Sequence, residues 1–193
     1  MLLAAALAGG CAREESGGSA NAGASGQAPP PTGTDASSTA ALGGNVSPLS
    51  DEDKEFLISA AYAQRSEIDL AALAQAKAAD PDVKAFAARM ATDHGQANQT
   101  LDQLAGAKGL SMPTELPSDM KKNNEHLNSL DGAAFDRAYM DHMLADHQKA
   151  VADFERYATA VKDPDLDVWI DKTLPTLKEH LRMAQGTHTK VQK

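Results

Sequence analysis

The sequence is poor in cysteine, in aromatic rings, in basic charge and in long apolar runs. One cysteine among 193 residues excludes a disulfide framework within the chain. Eighteen Lys and Arg against 27 Asp and Glu leave a net charge of −9. No basic run exceeds the pair Lys121–Lys122, so the footprint needed to neutralise phosphates is missing and nucleic acid is not an expected partner. No segment approaches the roughly 20 apolar residues that cross a bilayer. No Ser/His/Asp arrangement, Gly-rich phosphate loop or His-Glu-x-x-His motif occurs, which argues against a hydrolase or transferase.

What is present divides near residue 50. Residues 12–49 are dominated by Ala, Gly, Ser, Pro, Thr, Asn and Gln, a composition that cannot offset its ordering entropy and is expected to stay disordered. Residues 50–193 hold every Phe, Tyr and Trp and are long enough for one domain with a substantial core. That part carries −7 of the net charge, because Arg13, Glu14, Glu15 and Asp35 lie in the leader.

Residues 1–11 end in Leu7-Ala8-Gly9-Gly10-Cys11, which resembles a bacterial lipobox whose cysteine is acylated. The run lacks the basic stretch that opens an export signal, so a few basic residues are expected upstream of Met1. Acylated Cys11 would anchor the chain to a membrane, and the 38 residues after it form a tether. Its reach is on the order of 35 Å. Ala12 is not the Asp associated with inner-membrane retention, so the expected location is the periplasmic face of the outer membrane in a two-membrane bacterium.

The rest reads as helix throughout. Ser50-Asp51-Glu52-Asp53 supplies an N-cap and an acidic first turn. Phe56, Ala60, Ala63, Glu67, Leu70 and Ala74 then recur at helical spacing. Asp80-Pro81-Asp82 stops that helix and starts another, whose stripe is Val83, Phe86, Met90, His94, Ala97, Leu101 and Leu104, ending near Gly109. A proline-containing stretch leads to a short helical segment around 119–130. The next stripe is Met140, Met143, His147, Val151, Phe154 and Val161. Asp163-Pro164-Asp165 repeats the turn signal before Leu166, Ile170, Leu174, Leu177, His180, Ala184 and His188, with Pro175 expected to kink that last helix. The predicted fold is all-α: a ferritin-like four-helix bundle of two hairpins joined by a long connection with a short extra helix. A simple up-down bundle with an elaborate loop is the alternative.

Three runs carry a family resemblance: Phe86-Ala87-Ala88-Arg89-Met90-Ala91-Thr92-Asp93-His94, Phe135-Asp136-Arg137-Ala138-Tyr139 with His147-Gln148, and Leu174-Pro175-Thr176-Leu177-Lys178-Glu179-His180. Together they resemble the family called domain of unknown function 4142, over roughly residues 51–190. That resemblance implies a bacterial envelope protein with a ferritin-like helical fold and brings no activity with it.

Each long helix places one candidate ligand on its inner stripe: Glu67, His94, His147 and His180. Glu67 lies 13 residues before Asp80 and His94 lies 14 after it, while His147 lies 16 before Asp163 and His180 lies 17 after it. Residues equidistant from an antiparallel turn stand level, and at about 1.5 Å per residue both pairs fall near mid-bundle. Three imidazoles and a carboxylate suit zinc or another divalent first-row metal, whereas Met90, Met143 and Met183, within a turn of the histidines, would favour Cu(I) as auxiliary ligands. A di-iron site needs Glu-x-x-His, yet Ala91, Leu144 and Leu177 occupy the positions three before the histidines. His126, His142 and His188 are expected at the surface or in loops.

Three functional readings stay open at this level. One is a non-enzymatic, lipid-tethered periplasmic module that senses, buffers or sequesters a metal. Another is an envelope interaction protein, of unknown protein partner, whose polar core only fixes helix register. The third is a redox enzyme with a non-standard metal centre.

Overall fold

The computed structural model of the protein describes residues 48–193. Cys11, the expected anchor, the expected signal segment and residues 12–47 of the expected linker lie outside the described residues. Five helices follow in order: α1 Asp51–Lys77, α2 Pro81–Ala107, α3 Ser118–Asn128, α4 Gly132–Ala158 and α5 Pro164–Val191. No strand occurs among the described residues, and none of their helices is long and apolar enough to cross a membrane.

Local chemistry sets the boundaries. Ser50 caps α1 by accepting from Asp53 N at 3.1 Å. Both Asp-Pro-Asp turns work alike: Asp80 accepts from Asp82 N at 2.7 Å, and Asp163 accepts from Asp165 N and Leu166 N at 3.0 Å. Each proline follows at the first helical position, where its missing N–H costs nothing. Gly109, at φ +70°, takes the left-handed conformation that lets the chain leave α2. Pro175 sits inside α5, which continues past it to Val191.

Two charged clasps fix the direction of the helices. Near the start of α4, the Asp136 carboxylate accepts from the backbone N–H groups of Ala79 and Asp80, at 3.1 and 2.8 Å, in the α1–α2 turn. Just past the end of α2, Lys108 reaches Asp163 and Asp165 of the α4–α5 turn, both at 2.7 Å. The two turns therefore lie at opposite ends, and the connection through α3 runs the length of the bundle so that α2 and α4 are parallel. This is the ferritin-like alternative rather than the simple up-down one. Helices α1–α2 and α4–α5 pack as hairpins, α2 also packs on α5, and α1 meets α4 more loosely with α3 against both.

The interior consists of two apolar blocks. Leu70, Val83, Phe86, Met90, Phe135, Tyr139, Met140 and Met143 fill the end at the α1–α2 turn. Leu57, Leu101, Phe154, Leu166, Trp169 and Ile170 fill the other.

Three details differ from the sequence reading. On α1, Leu57, Ala61 and Gln64 are buried beside Ala60 and Glu67, whereas Phe56 and Ala63 are only partly covered. The reason is that α1 touches both α2 and α4, so its buried arc is wider than one stripe. Phe56 instead stacks on Tyr157, with ring centroids 4.1 Å apart. Val161 lies beyond the end of α4 at Ala158. Leu49, at the last position of the predicted linker, is buried in the second apolar block, so ordered packing begins before Ser50.

Candidate metal centre

Between the two apolar blocks lies one polar layer. Glu67 from α1, His94 from α2, His147 from α4 and His180 from α5 are 5, 4, 0 and 1% exposed. The three imidazoles form a nearly equilateral triangle with centroid separations of 5.7, 5.1 and 5.4 Å. Each offers one ring nitrogen, and those nitrogens all lie within 4.8 Å of one another. The four residues that turn-counting placed level are thus brought together.

Their contacts assign the protons. A carbonyl oxygen only accepts, so His147 Nδ1, 2.9 Å from the Met143 carbonyl, must carry a hydrogen and leave Nε2 with its lone pair free. His180 Nε2 lies 2.8 Å from the Asp93 carboxylate, which leaves Nδ1 as the free nitrogen. His94 Nε2 stands 2.8 Å from Glu67 Oε2, at ion-pair range but without the direction of a hydrogen bond. The second oxygen of Glu67 is 3.8 Å from His147 Nδ1. His94 Nε2, His147 Nε2 and His180 Nδ1 are all buried and have no hydrogen-bond partner.

Electrostatics follows from this arrangement. Burial pushes the Glu67 carboxyl up, but the imidazoles of His94 and His147 outweigh it and hold the group at about 2. Burial pulls His180 down, and the neighbouring imidazoles add to it against the opposing pull of Asp93, leaving it at about 4. For His94 burial also pulls down, yet the Glu67 carboxylate wins and raises it. The layer therefore holds an ionised carboxylate, one proton-attracting imidazole and a neutral His180.

Other expected partners divide. Met90 and Met143 are fully buried in the first apolar block, and Met183 packs against it partly covered. Of the acids next to the histidines, only Asp93 serves a layer histidine, and it does so across helices; it also pairs with Arg89. Asp146 pairs with His142 at 3.1 Å and Glu179 with Arg182 at 2.6 Å. His126 is exposed, His188 pairs with Asp141 at 2.7 Å, and His142 is half-buried.

Two buried groups escaped the sequence reading. Gln64, three residues before Glu67, has both amide atoms buried without a partner, and so does the Tyr139 hydroxyl. The i,i+3 spacing of Gln64 to Glu67 was the available signal for the first. Nothing in the sequence marked the second.

A family model described as "Domain of unknown function (DUF4142)" matches residues 38–187. No curated protein matches the chain. Among solved structures, the crystal structure of a DUF305 fragment from Deinococcus radiodurans is similar, with a TM-score of 0.65 at 15% identity. The match covers 74% of this chain and 99% of that one, and at this identity it speaks for the fold alone.

Proposed function

The chain belongs to the DUF4142 family, whose description carries no activity, and from its own core we propose that it binds a divalent first-row metal ion through His94, His147, His180 and Glu67. The observation that carries this reading is a buried trio of imidazoles that each bring one ring nitrogen within 4.8 Å of the others and each keep one ring nitrogen without a hydrogen bond. A purely structural polar network satisfies its members, because an unpaired buried polar atom costs about 1–3 kcal/mol. Here three imidazoles that each hold such an atom converge from three helices, where a cation would satisfy them at once.

Ligand chemistry agrees. A tetrahedral ion with bonds of ~2.0–2.1 Å holds its ligands ~3.4 Å apart, so the triangle closes onto an ion by side-chain adjustment. Asp93 and the Met143 carbonyl orient two of the imidazoles as carboxylate and carbonyl partners do at metal sites. Imidazole nitrogens and a carboxylate oxygen are donors that suit a divalent first-row ion, whereas the thioethers that would favour Cu(I) belong to the first apolar block. Binding expels the proton that Glu67 favours on His94.

The biological role is to hold or buffer that ion at the cell envelope, with Cys11 acylated and the residues between it and the domain as tether. Support for the location is the Leu7-Ala8-Gly9-Gly10-Cys11 pattern and the composition after it. Titrating the metal-stripped full chain with Zn(II), Fe(II), Mn(II) and Cu(I) tests the core. One tightly bound equivalent, lost in His147→Ala, is expected. Binding no tighter than His147→Ala would leave the layer as a polar spacer that sets helix register. For the anchor, Cys11→Ser should release the protein from membranes.

A further inference from the structure

Two clefts reach the histidine layer from opposite sides. One, of about 550 Å³ between α2 and α5, borders His94 and His180; its charged lining is Asp93, Asp165 and Lys172, nearly balanced. The other, of about 610 Å³, lies between α1 and α4 beneath α3 and reaches Glu67. Its lining holds six carboxylates, among them Glu55, Asp119, Asp146 and Asp153, against Lys149 and Arg156. The loosely packed α1–α4 seam is thus lined mainly by acidic residues.

Ligand types are graded along this second cleft. At its half-buried wall on α4, His142 Nε2 sits 3.1 Å from Asp146 Oδ2 and 3.2 Å from the side-chain amide of Asn123 on α3. Inward, Glu67 lines the cleft and also touches His94 and His147. Behind Glu67 stand the three partnerless ring nitrogens. An imidazole, a carboxylate and an amide at the rim, then a carboxylate, then imidazoles, make a ladder from solvent to core.

Resting on the metal-binding reading, we infer that His142, Asp146 and Asn123 form a second, solvent-facing cation site, which captures the ion and passes it to Glu67 along the α1–α4 cleft. Moving an ion into a buried layer in one step exposes it to the full desolvation cost, whereas successive ligands replace its water piecemeal. The acidic surroundings raise the local cation concentration at the rim. The α3 cover places only Leu127 in the core, and it meets α1 through Ser66 and Asn124 at 3.1 Å.

The test is Zn(II) loading of the metal-stripped full chain by stopped flow, with release followed into a chromophoric chelator. In His142→Gln/Asp146→Asn the equilibrium constant and the single equivalent should persist, while loading and release both slow on the order of tenfold. Asn123→Asp, which adds charge at the rim, should speed loading, and this variant keeps the test sharp should the double variant misfold. Lys172→Glu in the opposite cleft should leave the rates alone. Unchanged rates in both rim variants, or a change in Lys172→Glu instead, would overturn the route while leaving core binding intact. Absence of Zn(II) binding by the parent protein would bring down the core reading itself, and the route with it.

Discussion

The two apolar blocks at the ends of the bundle and the polar layer between them follow opposite rules. In the blocks, side chains such as Leu57, Phe86 and Ile170 are almost wholly out of water and their neighbours are apolar. They hold the fold. In the layer, four equally buried side chains include three ring nitrogens that make no hydrogen bond, His94 Nε2 meeting only the Glu67 carboxylate at ion-pair range, and Gln64 one turn away adds an amide without a partner. Burial is the same in both places, and single unpaired atoms, the Tyr139 hydroxyl and Trp169 Nε1, occur in the blocks as well; what marks the layer is that its polar groups converge. The blocks stabilise the scaffold that keeps the costly layer assembled.

The largest way to break that contrast is in a block. Phe86, 1% exposed and edge-on to both Tyr139 and His147, should cost about 3–5 kcal/mol when cut to alanine, measured by urea denaturation of the metal-free protein. A loss no greater than that of a surface substitution would mean that the block is not packed as described. A layer substitution should behave differently. Glu67→Leu alone leaves two imidazoles without their carboxylate and should cost about 1–3 kcal/mol, limited because the rings can stay neutral. Adding His94→Leu should recover that loss, since replacing a buried ion pair by apolar residues is commonly neutral or stabilising. A double variant less stable than the single one would show that the layer carries structural weight of its own.

Smaller effects sharpen the picture. Asp93→Asn weakens the partner that orients His180, so metal affinity should fall ~10–100-fold with stoichiometry unchanged, as read by competition with a chelator. An unchanged affinity would remove Asp93 from the centre. The most modest effect is on pH dependence. Glu67 titrates at about 2 instead of 4.5, so its contribution to stability is complete above 4.5 and is lost as the pH falls through 2. His180, at about 4 instead of 6.5, adds a loss in the same direction as the pH falls from 6.5 to 4. His94 is raised and opposes them: its contribution is present below 6.5 and disappears as the pH rises through its folded value. Metal-free stability should therefore decline as the pH falls below 6.5, where the His94 contribution is already complete, and should also fall as the pH rises above 6.5 through the folded value of His94. A profile flat between 4 and 6.5 would contradict the burial of a neutral His180.

Much of this was legible in the residues because helices repeat. A fixed rise per residue makes distance from a turn a measure of height, so Glu67 and His94, counted from Asp80, had to stand level. Counting from Asp163 did the same for His147 and His180. The stripe on α1 was less legible. Periodicity assumes one partner, whereas α1 has two, and the arc containing Leu57, Ala61 and Gln64 was passed over for the one containing Phe56 and Ala63. The acids beside the histidines were ambiguous for a related reason: neighbours in sequence point apart on a helix, so which histidine an acid serves depends on the helix opposite.

The sequence by itself determined helix content, the two Asp-Pro-Asp hairpins and the height of each polar residue, since these follow from backbone geometry and local capping. Only the tertiary structure decided the rest. The clasps of Asp136 and Lys108 chose the direction of the second hairpin, and Asp93 was given to His180 rather than to its neighbour. A loose α1–α4 seam, with α3 laid across it, became the acidic cleft. Those outcomes depend on which side chains meet across helices, and rotation about a helix axis is fixed by packing, not by any residue taken alone.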